Sequence, residues 1–526
     1  MHALASRVFG RWPDSLRSLA ICSVLVALLA AGQFTSGAYQ SDFSAASDEP
    51  AHVVSGLMVR EYIAHDLFEN PLRFAENYYV HYPKVAIGHW PPLFYCAEAI
   101  WTLVFGASRA TLLLLILLLD ALLVLCVYRA AHDCAGAIPA FLAGLVTIGP
   151  PFLRKAAFTV EPDMMLALLA FLAVVVYGRR LEAKRPAFSL FLSILCAACV
   201  LTHGRGIVIA VMPLVATLLM NPKAFSVMHW FLIIAAFSAA VALAILTGQS
   251  HMISIAAVLE NAALFPWRVG NALSWPVFLV AAVGAWWSVR NRIYRAVAMA
   301  SLVLSLWILL TVLGSGVHSR YLIMIAPAIA VLFGTGVRFL WTFAASARVL
   351  RAIAAVGLSA ITVVSWSRSV HKPDLGFHNF VNQGSMAAPE SRISLVAGGS
   401  IFEGAYIAEM ALHDLTPYHV TLRASKVLAS STWSELDYHL RMSGSPDVVA
   451  YLDSAHVGLL VVQRGYARPH MPQLLQAIAS RGNEWMEIPG PARARVFRRN
   501  GPLPPGEPVI RIDMRDKLGR DLVPDE

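Results

Sequence analysis

Of the 526 residues, 58% are hydrophobic and only 14% are charged, well below the roughly 25% charged content of an ordinary soluble domain. That composition excludes a wholly soluble protein and describes a membrane protein with several spans. The net charge of +9 does not mark a nucleic-acid binder, because Arg and Lys gather in short clusters between apolar runs, where they set membrane topology.

Arg7, Arg11 and Arg17 precede an apolar run at 19–38. The run is long and no clean small-residue cleavage site follows it, so it reads as a retained first span rather than a signal peptide. Runs near the roughly 20 residues that cross a bilayer recur to about residue 366. Eleven spans are expected, near 19–38, 110–128, 137–152, 164–178, 187–202, 206–220, 227–247, 272–289, 296–313, 321–338 and 349–366. Basic clusters at Arg129, at Arg179 to Arg185, at Lys223, at Arg290 to Arg295 and at Arg338 to Arg351 fall on alternate connections with the N-terminal arginines. Those connections, and the N-terminus, are assigned to the cytoplasm of a cell-membrane protein. The apolar run from Leu93 to Gly106 suits an interfacial or re-entrant helix better than a span, so the first outer loop is taken as 39–109.

After this membrane portion, 1–369, the chain turns soluble in character. Strand-like stretches at 392–397, 419–422, 457–462 and 494–497 alternate with helix-like ones at 403–413, 446–455 and 472–480. The expectation is an extracytoplasmic α/β domain over 370–500. Residues 501–526, rich in Pro and charge, are expected to be disordered. All six cysteines lie in the membrane portion. Cys196 and Cys199, though spaced C-x-x-C, sit in an apolar helix and read as packing residues.

The expected topology brings the unusual polar residues to one face: Asp48 and Glu49, the turn Glu161-Pro162-Asp163, Thr202-His203-Gly204-Arg205, the 248–271 loop and His318-Ser319-Arg320-Tyr321. Asp48 can serve as a general base toward an acceptor hydroxyl, or share a divalent cation with further ligands, for which Asp163 and His89 are the candidates. Asp163 also fits a plain helix start, where a carboxylate meets the positive end of the dipole. Arg154, Lys155, His203, Arg205, Arg268 and Arg320 put positive groups on the outer rim, against the usual bias; a lipid phosphate would account for them, since guanidinium grips phosphate with two donors. Lys84, His89 and Trp90-Pro91-Pro92 occupy the same loop as Asp48. Gly398-Gly399-Ser400, between a strand and a helix, reads as a tight turn rather than a phosphate loop.

These positions resemble the polyprenyl-phosphate-dependent glycosyltransferases of the C-type fold, the group that holds protein O-mannosyltransferases and aminoarabinose transferases. The resemblance rests on Asp48-Glu49 with His52 after the first span, Pro91-Pro92-Leu93 in a long first outer loop, Asp163 opening a later span, and Arg320-Tyr321 opening a helix that carries Pro327. It covers residues 15–366. Two departures stand out: His89-Trp90-Pro91-Pro92 where aminoarabinose transferases have Lys-Pro-Pro, and Thr202-His203-Gly204 where they have Thr-Lys-Gly. The resemblance implies a membrane bundle that transfers a sugar from a polyprenyl-phosphate donor to an extracytoplasmic protein, lipid or glycan. In it Asp48 acts as base beside Glu49, with Asp163 as the second acid. The donor phosphate falls to Arg320, Arg205, His203 and Lys84, and substrate contacts to His89 and Tyr321. A transporter or flippase of an anionic lipid or lipid-linked sugar stays open as the alternative, as does a non-catalytic scaffold.

Overall fold

The computed structural model describes residues 16–86, 88–183, 187–220, 255–313, 317–343, 369–382, 392–430, 438–514 and 520–523. The expected spans at 227–247 and 349–366 lie outside these residues. The chain begins with α1 (Leu16–Thr35), uncharged after its first two residues. The expected first outer loop then folds into three helices, α2 (Glu49–His65), α3 (Pro71–His81) and α4 (Leu93–Phe105). Each of the first two has a proline in its first turn, where the missing N–H costs nothing. With 13 residues, α4 is about 20 Å long, short of the roughly 30 Å hydrocarbon core. Gly56 lets α2 and α4 meet: a Cβ there would lie 2.2 Å from the Glu98 carboxyl carbon.

Next come α5 (Arg109–Ala135), capped by Ser108 Oγ accepting from Thr111 N–H, and α6 (Ala137–Ile148). Then follow α7 (Asp163–Ala183), α8 (Ala187–Thr202) and, past a 3-10 turn at Gly204–Ile207, α9 (Val208–Met220). The bundle continues with α10 (Ile255–Leu273), α11 (Trp275–Arg290), α12 (Tyr294–Leu313) and α13 (Ala326–Phe343). Among the described residues, α1, α5, α7, α12 and α13 are each long and apolar enough to cross a membrane, which makes this a multi-pass membrane protein. Four of the expected spans are revised. The stretches at 137–152, 187–202 and 206–220 form the shorter apolar helices α6, α8 and α9, and that at 272–289 becomes α11, bent 116° from α10 at Ser274. Most of the expected 248–271 loop is the helix α10, whose Glu260, Asn261, Pro266 and Arg268 break the apolar run without stopping it. The span expected from residue 321 starts instead at Ala326, so that Pro327 falls in the first turn.

The C-terminal domain is α/β, as expected. Its strands are β1 (Ile393–Ala397), β2 (Val420–Arg423), β3 (Ala429–Ser430), β4 (His439–Leu440), β5 (Leu459–Gln463), β6 (Trp485–Ile488), β7 (Ala494–Arg499), β8 (Ile512–Asp513) and β9 (Asp521–Leu522). Five form one sheet in the order β2-β1-β5-β7-β6, parallel across β2, β1 and β5 and antiparallel beyond. Strand β1 is buried along its whole length, as a parallel strand covered on both faces should be. Helices α14 (Ser400–Asp414), α15 (Ser445–Ser454) and α16 (His470–Ser480) connect the strands. The expectation of disorder from residue 501 needs correction: β8 pairs with β9, and Ile510, Ile512 and Leu522 are buried. Apolar side chains that close a hairpin offset the ordering cost that Pro and charge would otherwise leave unmet.

The two domains are packed together at one end of the bundle. Helix α14 lies on α2 through Gly404, whose would-be Cβ stands 2.9 Å from Lys84 Cε and 3.0 Å from Pro50 Cγ. Arg109 at the head of α5 is ion-paired with Glu409 of α14. The strap between the domains adds Lys372 N–H to Ser36 O at 2.9 Å, while Asp42 accepts from Leu375 and Phe377 N–H.

Candidate active site

Four separate elements bring charge to that covered end. Asp48 precedes α2 without capping it; its Oδ2 accepts from Arg320 Nη1 at 2.7 Å. Asp163, the first residue of α7, accepts from Arg320 Nε at 2.7 Å, and Arg320 Nη2 lies 3.5 Å from Glu161 Oε2. Arg320 sits on a 3-10 turn, Ser319–Leu322, ahead of α13. One guanidinium thus faces three carboxylates. Arg205, in the turn before α9, stands 3.8 Å from Asp163 Oδ1 and stacks on the Tyr321 ring at 3.6 Å. The Asp48 and Arg320 side chains keep 21% and 27% of their exposure, against 5% for Asp163, so the Asp48 edge is the one a substrate can reach.

Burial opposes the charge on Arg320, but Asp163, Glu161 and Asp48 outweigh it and raise its pKa further. Glu161 is pushed up to about 8, by burial first, and holds its proton at neutral pH. His203 is pushed down to about 3 by burial and by Arg205. Its Nδ1 accepts from Arg205 N–H at 3.2 Å, which leaves the ring proton on Nε2. His203 therefore offers a neutral donor, not the positive charge expected of it.

Glu49 does not join this cluster, and its expected catalytic role gives way to a structural one. It is fully buried, accepts from Ala45 N–H (2.9 Å) and Val160 N–H (3.1 Å), and pairs with the fully buried Lys372 at 2.6 Å. Adjacent residues at a helix start diverge by about 100°, so Asp48 faces the arginine while Glu49 ties together α2, the 158–161 turn and the interdomain strap. His52, one turn on, is wholly buried, packs tilted against Trp90 with ring centroids 4.2 Å apart and meets the Tyr95 hydroxyl at 2.8 Å. His89 packs edge-on against Trp90. Lys84 is buried against α14, with Nζ 3.4 Å from Ser400 O, and burial and then Arg423 pull its pKa down to about 7.

Asp48 and Asp163 come together, then, on a guanidinium. Among the described residues no three His, Cys, Asp or Glu side chains are arranged so that they could hold a metal ion, and His89 is not grouped with the two aspartates. The expected donor set for a divalent cation, Asp48, Asp163 and His89, is thus not assembled in this arrangement, where both aspartates are ion-paired with Arg320. Arg268 is exposed on α10 and Lys155 on the short helix Pro151–Ala156. Gly399 is a helix-start turn, its N–H donated to Gln463 Oε1. The six cysteines are free, and Gly206 packs on the Cys199 backbone. Glu161 stood in the sequence two residues from Asp163, and only its burial sets it apart. Lys372 carries no sequence signal beyond being a lysine after the last apolar run.

No family model matches the chain, and no curated protein matches it in sequence. Solved structures do match in fold. ArnT from Cupriavidus metallidurans bound to undecaprenyl phosphate is 14% identical, with a TM-score of 0.53 over 92% of this chain and 99% of that one. The archaeal oligosaccharyltransferase AglB from Archaeoglobus fulgidus, in complex with an inhibitory peptide and a dolichol-phosphate, is 12% identical, with a TM-score of 0.55 over 86% of this chain and 70% of that one. An Archaeoglobus fulgidus oligosaccharyltransferase in complex with Zn and sulfate is 13% identical, with a TM-score of 0.53 over 84% and 68%. The chain therefore has the fold of the C-type glycosyltransferases, the architecture its first-loop and Arg320 motifs led one to expect.

Proposed function

We propose that this protein is an integral membrane glycosyltransferase. It moves a sugar from a polyprenyl-phosphate donor to an extracytoplasmic acceptor, with inversion at the anomeric carbon. The observation that carries this reading is the bridge Asp48–Arg320–Asp163, in which a base and an anion-gripping group share one contact.

Without donor, Arg320 Nη1 is spent on Asp48. The donor phosphate, entering at the exposed edge, takes over that N–H while Asp163 keeps Nε and the guanidinium in place. Asp48 is released by the same event and accepts the proton of the acceptor hydroxyl or amine. The new bond to the anomeric carbon forms as its bond to the phosphate oxygen breaks, through the oxocarbenium-like state met in glycoside hydrolysis. Polyprenyl phosphate leaves as an anion and needs no general acid. Arg320, Arg205 and the charged fraction of Lys84 stabilise it, aided by the low dielectric of a buried site. Coupling release of the base to arrival of the donor also keeps Asp48 idle toward water. No step here is routed through a cation; before donor arrives, Asp48 and Asp163 are both ion-paired with Arg320. The lipid phosphates bound by ArnT and AglB, proteins of the same fold, support a lipid-linked donor.

The test is sugar transfer from radiolabelled polyprenyl-phosphate sugars, in membranes holding wild type or Asp48→Asn at matched expression, with and without chelator. Transfer that persists with chelator and vanishes in the variant is the expected result. Equal transfer by both proteins would remove Asp48 from catalysis. Movement of labelled lipid across the bilayer with no sugar transferred would replace the enzyme by a transporter.

A further inference from the structure

At the start of α2 the Asp48 carbonyl accepts from His52 N–H at 3.0 Å, so the two residues stand one helical turn apart. Residues four apart share a helix face. His52 therefore lies on the Asp48 side of α2, where Glu49 does not. The charges of Arg320, Asp163, His203 and His89 all bear on its ring, that of Arg320 most strongly. Yet the transfer described above gives His52 nothing to do.

The ring is only half satisfied. Its Nδ1 meets the Tyr95 hydroxyl at 2.8 Å, while Nε2 is buried with no hydrogen-bond partner among the described residues. Trp90 packs tilted against the ring and Phe94 meets it edge-on, with centroids 4.2 and 6.3 Å away. A buried polar atom with no partner is rare in a native structure and calls for a reason. What could meet it follows from the two tautomers. Where the Tyr95 hydroxyl donates to Nδ1, Nε2 carries the proton and needs an acceptor; where Nδ1 donates, Nε2 is bare and needs a donor. A hydroxyl is both, and suits either form. A phosphate only accepts, and it gains no charge from a ring that burial keeps neutral; it belongs with Arg320.

We propose that His52 Nε2 hydrogen-bonds a hydroxyl of the transferred sugar and so takes part in choosing it. This rests on the transferase reading. The anomeric carbon has to lie between the nucleophile held by Asp48 and the phosphate held by Arg320, and His52 is one turn along the same face. The sugar comes in as Arg320 leaves Asp48 for the phosphate, and its hydroxyl closes on Nε2. Tyr95 is then a positioning residue, which holds the ring by its other nitrogen. A buried group that must be paired by a substrate hydroxyl discriminates strongly against a sugar lacking it, because the site is left with an unmet polar atom.

Purified full-length protein in detergent would be titrated with undecaprenyl phosphate, bare or carrying mannose, glucose or arabinose, and binding read by native mass spectrometry and by the rise in Tm that a ligand of the native state causes. In wild type the best of the sugar-bearing lipids should bind about tenfold more tightly than the bare lipid, the value of one hydrogen bond. One monodeoxy form of that sugar should fall back to the bare-lipid value. His52→Phe keeps a ring against Trp90 but has no nitrogen; it should bind the bare lipid as wild type does and lose the sugar increment, with its ligand-free Tm showing that it has folded. His52→Gln, whose amide both donates and accepts, should keep part of the increment. Sugar-bearing lipids that wild type binds no better than the bare one, deoxy forms that all bind alike, or an increment that survives in His52→Phe would overturn the inference and leave the transferase reading to the Asp48→Asn assay. Wild type that binds none of these lipids and transfers no sugar would overturn both.

Discussion

At the Asp48 end, three carboxylates share two guanidiniums; some 24 Å down α7, three guanidiniums share Asp133 and Glu182. The ingredients are the same, and the excess is opposite. At the acid-rich end the surplus is settled inside the protein, by a proton on Glu161, and Arg320 is left holding two aspartates of which one is reachable. At the base-rich end, among the described residues, Arg129, Arg179 and Arg295 all pair with Asp133. The ratio of acids to bases, more than their presence, is what differs between the two ends.

The sharpest way to break this contrast is Asp48→Asn. It removes the releasable base and should lower kcat by about 10²–10⁴, as loss of general-base catalysis does, with little change in donor KM. Next is Lys372→Met, which strands the buried Glu49 charge and should cost about 3–5 kcal/mol in thermal denaturation. The double variant Lys372→Met/Glu49→Gln should recover part of it, because it removes the buried charge while its single amide oxygen still accepts from one of the two N–H groups, Ala45 or Val160, that use different oxygens of Glu49. If the double variant is no better than the single, Glu49 is not the reason for the lysine. Arg320→Lys keeps the charge and loses the fork; transfer should fall by about 10²–10³, with a raised KM for the lipid donor separating it from Asp48→Asn. The smallest effect belongs to Glu161. Its folded pKa is raised, so the stability tied to its proton is complete below the ordinary carboxyl range near 4.5 and is lost as pH climbs toward 8. A plot of Tm against pH should fall over that interval in wild type and flatten in Glu161→Gln.

Hydropathy made the long helices legible, since α1, α5, α7, α12 and α13 each carry an apolar run with few interruptions. It could not tell a span from a shorter buried helix such as α6, nor foresee that α10, with Pro266 and Arg268 inside it, stays helical. The tail's strands β1, β2, β5 and β7 were legible from β-branched and apolar runs. The edge strand β6 was not, because in Trp485-Met486-Glu487-Ile488 only Trp485 is buried while Met486 and Glu487 are exposed, so no apolar alternation marks it. Among the site residues, Asp48, Asp163, Arg205 and Arg320 could be placed on one face in advance, the two arginines because positive groups on the outer rim break a membrane-topology habit, but that Arg320 would bridge both aspartates could not be foreseen. The separation of Asp48 from Glu49 could not, since it depends on Lys372 arriving from 323 residues away. Nor could the neutrality of His203, which is set by burial beside Arg205.

That long separation also bears on how the protein is made. At about 5–20 residues per second, the lysine that fixes Glu49 leaves the ribosome roughly 16–65 s after its partner. Throughout that interval the nascent chain carries an uncompensated acid beside Asp48, and the first loop has no strap to set its position. A half-synthesised or truncated chain can insert its early helices, but it lacks the Glu49–Lys372 pair, which forms only when the chain past the membrane portion has been made.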